Sequence, residues 1–351
     1  LNDESLLHFA LDGGGAPDFS VDLMTFETER SLVAAAGSVS LGVAVIQSTG
    51  HDVFATAFNS TNGETALWTY DFDEGFTLLS GALDVAADGS VVVAGARDPV
   101  AETTLLVVLD GATGVELRRL EQAANISTVE LSDDGARAVF TEGATASVVD
   151  ITNLSMLFSF AVSGSGGRHG ISRDGNAVAA GGFDAAAYVE TAKGWELAWS
   201  EAEATQWYGN GLALSGDGET LFAVSRNYSN NLDLTYRVID LVSGAELARA
   251  TTNGTGSFQD SPWRARVSAD GAVLAIASWG LENNAHPEVQ IFDRAATVIG
   301  GVDMPGSPFD LDLSADGRYL LVGGKAVHAN DMGSGGDVFL CDIEAFPTRN
   351  R

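Results

Sequence analysis

The stretch Asp312-Leu313-Ser314-Ala315-Asp316-Gly317-Arg318-Tyr319-Leu320-Leu321-Val322-Gly323-Gly324 decides the fold, because variants of it recur along the chain. Two apolar runs flank Leu-Ser-x-Asp-Gly. Asp can bond its own backbone neighbours and Gly tolerates positive φ, so the phrase reads as strand, tight turn, strand. The Asp of the turn falls at Asp88, Asp134, Asp174, Asp217, Asp270 and Asp316. A worn copy, Ser48-Thr49-Gly50, precedes the run Val53 to Ala57, which is expected to be the second strand of a first unit.

Successive copies give a period of roughly 40 to 45 residues with no helical periodicity, and that is the repeat of four-stranded propeller blades. Within the repeats a third strand ends in Asp before a further turn. Examples are Leu105 to Asp110 followed by Gly111-Ala112-Thr113-Gly114, and Tyr236 to Asp240 followed by Val242-Ser243-Gly244. Ser147 to Asp150 and Val289 to Asp293 end alike. On these residues the chain resembles the WD-repeat-like and YVTN-type seven-bladed β-propellers, including the quinoprotein amine dehydrogenase β-chain-like group, over residues 30 to 345. The Trp-Asp dipeptide of strict WD repeats is absent. The resemblance implies the fold and leaves activity open, because these propellers host many unrelated functions. Its redox members suggest, as a third idea, a cofactorless subunit of a redox complex.

The expectation is an all-β, seven-bladed β-propeller of four-stranded antiparallel blades. Residues 29 to 351 form a single propeller domain, with residues 1 to 28 as an N-terminal extension packed on it. The last blade runs out at its third strand, Phe339 to Ile343, while Arg30 to Ala36 stands at fourth-strand spacing before the first turn. Closure of the ring by this N-terminal strand is therefore expected. The alternating stretch around Val21 leaves an eighth, partial blade as the alternative.

The net charge of -30 comes from 48 acidic and 18 basic residues. Such a surface repels phosphate backbones, which argues against nucleic-acid and anionic-membrane partners. Ser31 to Ile46 is uncharged but too short and too rich in Gly and Ser for a membrane span, and no signal-like segment opens the chain, so a soluble protein is expected. The single Cys341 lies in an apolar run and reads as a buried, inert thiol. Five glycosylation sequons begin at Asn59, Asn125, Asn153, Asn227 and Asn253, all in expected loops. They favour a secreted, extracellular or periplasmic protein.

Loops between second and third strands are expected to be short in blades three and four, at Glu142 to Ala144 and Gly182 to Asp184. They lengthen in blades five to seven, at Arg226 to Asp233, Trp279 to Pro287 and Gly324 to Gly336. Function in repeat folds concentrates where insertions cluster. The candidate partner-binding residues in these loops are Tyr228, Trp279, Asn283, Asn284, His286, His328 and Asp331. Inter-blade links add Arg168, His169, Trp207, Tyr208, Trp263 and Arg264. Aromatics with Arg and Asn suit recognition, although Trp207 and Trp263 could equally pack between blades.

No G-x-S-x-G elbow, H-E-x-x-H helix or P-loop occurs. No cofactor and no metal site are expected, and Asp71-Phe72-Asp73-Glu74-Gly75 and Asp310-Leu311-Asp312 read as a turn and an alternating strand. The first reading of function is a non-enzymatic secreted scaffold presenting the loops of blades five to seven to a protein or glycan partner or to copies of itself. The alternative is a lactonase-like hydrolase or lyase in which His169, His286 or His328 joins Glu282 or Asp331 around the central channel.

Overall fold

The computed structural model describes residues 5–8, 19–22, 30–37, 41–48, 53–59, 66–72, 75–122, 126–163, 169–203, 205–230, 232–254, 261–279, 286–328 and 336–346. They build seven antiparallel sheets from strands consecutive in sequence, the blades of a seven-bladed β-propeller. Blade 1 comprises Arg30–Gly37, Leu41–Ser48, Val53–Asn59 and Ala66–Asp71; blade 2 comprises Thr77–Val85, Val91–Asp98, Thr103–Asp110 and Glu116–Gln122. Blade 3 comprises Ile126–Leu131, Arg137–Glu142, Thr145–Asp150 and Ser155–Ala161; blade 4 comprises His169–Ile171, Ala177–Gly181, Asp184–Thr191 and Gly194–Ala202. Blade 5 has a broken first strand, Gln206–Trp207 and Leu212–Leu214, then Thr220–Asn227, Leu234–Asp240 and Ala245–Thr252. Blade 6 comprises Pro262–Val267, Val273–Ser278, Val289–Asp293 and Val298–Val302, and blade 7 comprises Pro308–Leu313, Tyr319–Lys325 and Gly336–Asp342.

By contacts the chain divides into two compact units, one holding blades 1 to 3 (residues 2–161) and one holding blades 4 to 7 (residues 162–351). Within each unit, second and third strands are rich in Val, Ala, Leu and Ile because neighbouring sheets pack face to face. Val92, Ala94 and Val107 of blade 2 bury against Val43, Ala55 and Ala57 of blade 1. In the second unit Phe222, Val224 and Tyr236 of blade 5 meet Ile276 and Phe292 of blade 6. Fourth strands carry polar, exposed patterns, and in blades 1 to 6 each is interrupted by a β-bulge, at Leu67, Leu117, Leu157, Ala198, Leu247 and Ile299. A bulge twists an open edge away from pairing with another chain.

The Ser-x-Asp-Gly turns are self-contained. In blade 6, Ser268 Oγ donates to Asp270 Oδ1 at 2.8 Å and accepts from Val273 N at 3.0 Å, while Asp270 Oδ1 also accepts from Ala272 N. The same bonds recur at Ser132, Ser172 and Ser314. The turn glycines have φ between 65° and 75°. A Cβ on Gly271 would stand 2.5 Å from Thr220 Oγ1 of the preceding blade, so glycine is required by conformation and by close approach together. Backbone bonds then stitch turn to turn, Asp217 N to Ala269 O at 3.1 Å and Ala269 N to Ala315 O at 2.8 Å.

Two readings change at the N-terminal side. Ser48-Thr49-Gly50 joins the second and third strands of blade 1, not its first and second. Arg30–Gly37 pairs antiparallel with Leu41–Ser48 and is the first strand of that blade, so it is not the closing fourth strand the spacing suggested. The cause is that blade 1 lacks an Asp-Gly at its first turn, and a reading by spacing alone slides one hairpin along. The strand around Val21 exists as Phe19–Asp22, paired only with Ser5–His8 in a two-stranded sheet among the described residues.

Candidate functional site

At the end of each blade opposite the Asp-Gly turns, second strands finish and first strands begin. Blades 3 and 4 turn back there through residues 143–144 and 182–183, whereas blades 5 to 7 use residues 228–233, 279–288 and 326–335. The expected growth of these loops is present. First strands are also irregular there. Tyr208 to Gly211 interrupt the pairing in blade 5, Trp263 is an extra residue in blade 6 and Phe309 one in blade 7. Bulges re-aim side chains and free backbone groups.

Both consequences are visible. Trp263 lies with its ring centroid 5.1 Å from that of Trp279, and its Nε1 donates at 2.7 Å to the carbonyl of Phe309, the bulged residue of the next blade. Trp279 N donates to Ser261 O at 3.0 Å, and its carbonyl accepts from Ser307 Oγ at 2.6 Å. Lys325 Nζ stands 5.6 Å from the Trp279 ring centroid.

The blade 5 side is anchored by Arg226, which is 4 % exposed. Its guanidinium lies 4.8 Å from the Trp207 ring and 4.6 Å from the Tyr228 ring, and donates to Tyr228 Oη and to Ser261 Oγ of blade 6. A desolvated cation held over aromatic faces contributes about 2 kcal/mol. Tyr228 in turn meets Phe183 of blade 4 at 5.7 Å. Phe183, Tyr228 and Phe309 are 40 %, 41 % and 49 % exposed, so the sector offers aromatic surface on a buried polar frame.

Of the residues expected here, Tyr228, Trp279, Trp207 and Trp263 are brought into this sector. Tyr208 and His169 are buried and are not contact residues: Tyr208 packs against Trp199 at 6.0 Å, and burial pushes its hydroxyl up to about 12, while His169 pairs within blade 4. Arg264 is turned into an ion pair with Asp310 at 3.1 Å. His286 is half-buried, and His328 Nδ1 faces Glu288 Oε1 at 3.8 Å. Arg168, Asn283, Asn284, Asp331, Glu282 and Asn125 lie outside the described residues. Among the other sequons, Asn153 is exposed in a turn and Asn253 follows a strand, but Asn59 and Asn227 are the last residues of strands rather than loop residues.

Sequence reasoning missed Arg226, Ser261, Glu288, Phe309 and Phe183. Arg226 had a signal, being a charged residue at the end of an otherwise uncharged, largely apolar run (Thr220-Leu221-Phe222-Ala223-Val224-Ser225-Arg226). Phe309 had none, because a bulge leaves no mark in a strand of this length. Among the described residues no three His, Cys, Asp or Glu side chains gather to hold a metal ion, and no helix is long and apolar enough to cross a membrane. Cys341 is half-buried, with burial raising its thiol above the usual range.

No family model and no curated protein matches this chain. Solved structures do. A chain of the mitotic checkpoint complex superposes with a TM-score of 0.61 at 13% identity, covering 89% of this chain and 90% of that one. The hydrazine synthase of Kuenenia stuttgartiensis gives 0.59 at 16% identity, covering 88% and 94%. BamB from Moraxella catarrhalis gives 0.58 at 11%, covering 92% and 94%. At such identities the likeness carries the fold alone, the β-propeller that the seven sheets display.

Proposed function

We propose that this chain is a non-enzymatic interaction propeller of the WD-repeat-like or YVTN type, which captures a protein partner through the aromatic sector of blades 4 to 7. The observation that carries the reading is the Arg226 frame. A buried cation there holds Tyr228 by its ring and hydroxyl, stacks on Trp207 and binds Ser261 of the next blade, whose carbonyl takes the backbone N–H of Trp279, and such rigid aromatic anchors are what interfaces use as hot spots. We further propose a secreted protein with residues 1–28 packed on a single propeller domain, a reading supported by the exposed sequon Asn153. The hydrolase alternative has one foothold, the His328–Glu288 pair, but His169 lies buried in blade 4 and brings no third group to it.

The test is capture of partners from the source organism's own extract by the intact protein, compared with the double variant Trp279→Ala/Tyr228→Ala. A specific protein retained by the native chain and lost at least tenfold by the variant, with circular dichroism unchanged, is the expected result; tenfold corresponds to about 1.4 kcal/mol. Equal retention overturns the reading. Loss of glycan retention or of self-association in place of a protein would move the function to that other partner.

A further inference from the structure

Beneath the sector, a circuit of bonds runs around the junction of blades 6 and 7. Ser278 N, the residue before Trp279, donates to Glu288 O at 2.7 Å. Glu288 Oε2 accepts from Met304 N at 2.7 Å. His328 follows Val327, whose carbonyl accepts from Ser307 N at 3.0 Å, and Ser307 Oγ returns to Trp279 O. One step of the circuit is open. Glu288 Oε1 and His328 Nδ1 face each other at 3.8 Å, both shielded from solvent and neither with a hydrogen-bond partner among the described residues.

Glu288 is 0 % exposed, and a buried carboxyl with an oxygen unpaired is costly. Closing the gap takes one proton. Carried by Oε1, it is donated to Nδ1; carried by Nδ1, it is donated to Oε1. When the carboxyl proton is lost, neutral imidazole can still turn its own N–H from Nδ1 toward Oε1, but the group that it faces is then a buried anion; with a proton on both atoms, donor meets donor. Oε2 is engaged by Met304 N, which leaves Oε1 as the oxygen facing His328.

We propose that Glu288 and His328 share a single proton and act as a pH-sensitive tie between blades 6 and 7 that sets how Trp279 is presented. The proposal deepens the interaction reading by supplying its regulation, yet the tie exists whether or not a partner binds. Burial raises the Glu288 carboxyl above its usual range and Asp303 pushes the same way, against the Met304 N–H and His328. His286 and Lys325 are the remaining charged or titratable side chains on the described segments meeting here. A raised acid contributes stability that is complete below the ordinary Glu range and lost as pH rises through the raised value.

The test uses the intact protein without partner, following Trp emission and the thermal midpoint from about pH 4 to pH 8, the range spanning ordinary Glu and His titration. The native chain is expected to lose stability with rising pH, by at most tenfold in the folding constant per pH unit for one proton, with a coincident emission step. Glu288→Gln keeps the shape, donates to Nδ1 and accepts from Met304, so both changes should vanish. Trp279→Phe should remove the emission step and keep the stability slope. The same slope and step in Glu288→Gln, or an emission step surviving in Trp279→Phe, overturns the proposal. Because no partner enters the measurement, it can fail while the interaction reading stands, and the reverse.

Discussion

The two ends of a blade solve different problems. At the Asp-Gly end, blades 3 to 7 repeat one solution: a serine, an aspartate and a glycine close each turn on itself, and from blade 4 to blade 7 backbone bonds join one turn to the next. At the other end, blades 5 to 7 differ from each other in loop length, in where the first strand bulges and in which aromatic ring is raised. The same strands run into both ends. Repetition therefore marks what the fold needs from every blade, and divergence marks where a blade is free to do something of its own.

The strongest way to break the comparison is to remove what both ends stand on. Phe222 is fully buried, with its ring 5.8 Å from Phe292 and 6.5 Å from Tyr236. Phe222→Ala should cost about 3–5 kcal/mol by denaturant unfolding, since a cavity between two sheets collapses poorly. A cost under about 1 kcal/mol, the range of an ordinary surface change, would mean the blades do not rely on this packing.

Next come the glycines. Gly271→Ala forces a side chain into φ 69° and against Thr220, which should lower stability by roughly 1–2 kcal/mol for the backbone alone. Gly323→Ala, near the loop end of blade 7, meets its nearest neighbour, Val338, only at 3.7 Å and should change stability by less than about 0.5 kcal/mol. Equal losses would erase the distinction between the ends.

Smaller again is the serine bond. Ser268→Ala should cost about 1 kcal/mol. Hydrogen bonds to the turn hold the Asp134 and Asp270 carboxyls below the usual range. Their contribution is thus present above the ordinary Asp range and lost as pH falls through the lowered values. The loss should shrink in Asp270→Asn, measured as the acid limb of the midpoint-against-pH curve.

Why the sequence disclosed one end better than the other follows from these bonds. Ser268, Asp270 and Gly271 form their turn from residues adjacent in the chain, so the motif is visible as a word. The Arg226 frame assembles residues from 207 to 261 across a blade boundary, and the Glu288–His328 pair joins two blades. Loop length was legible, and it pointed to blades 5 to 7. Which side chains face outward depends on breaks such as those at Trp263 and Phe309. Tyr208 and His169 read as exposed because the sequence puts them in links between blades, where His169 in fact opens the first strand of blade 4 and Tyr208 packs into the core against Trp199. The first blade misled for the converse reason, because its turn lacks the word and Arg30–Gly37 was placed by spacing alone.

The smallest expected effect sharpens the comparison most. Phe309 is nearly half exposed, and its bond with Trp263 runs through the backbone carbonyl, which a substitution does not remove. Phe309→Ala should therefore change unfolding free energy by less than about 0.5 kcal/mol, the ordinary range for surface positions, and leave Trp263 seated. Emission of Trp263, read against a Trp263→Phe control, would report a shift if the side chain rather than the carbonyl held the indole. If stability and emission hold while partner capture falls, the ring is kept for recognition. If the unfolding free energy falls by as much as in Ser268→Ala, the loop end serves the fold no less than the Asp-Gly end does, and its divergence needs another cause.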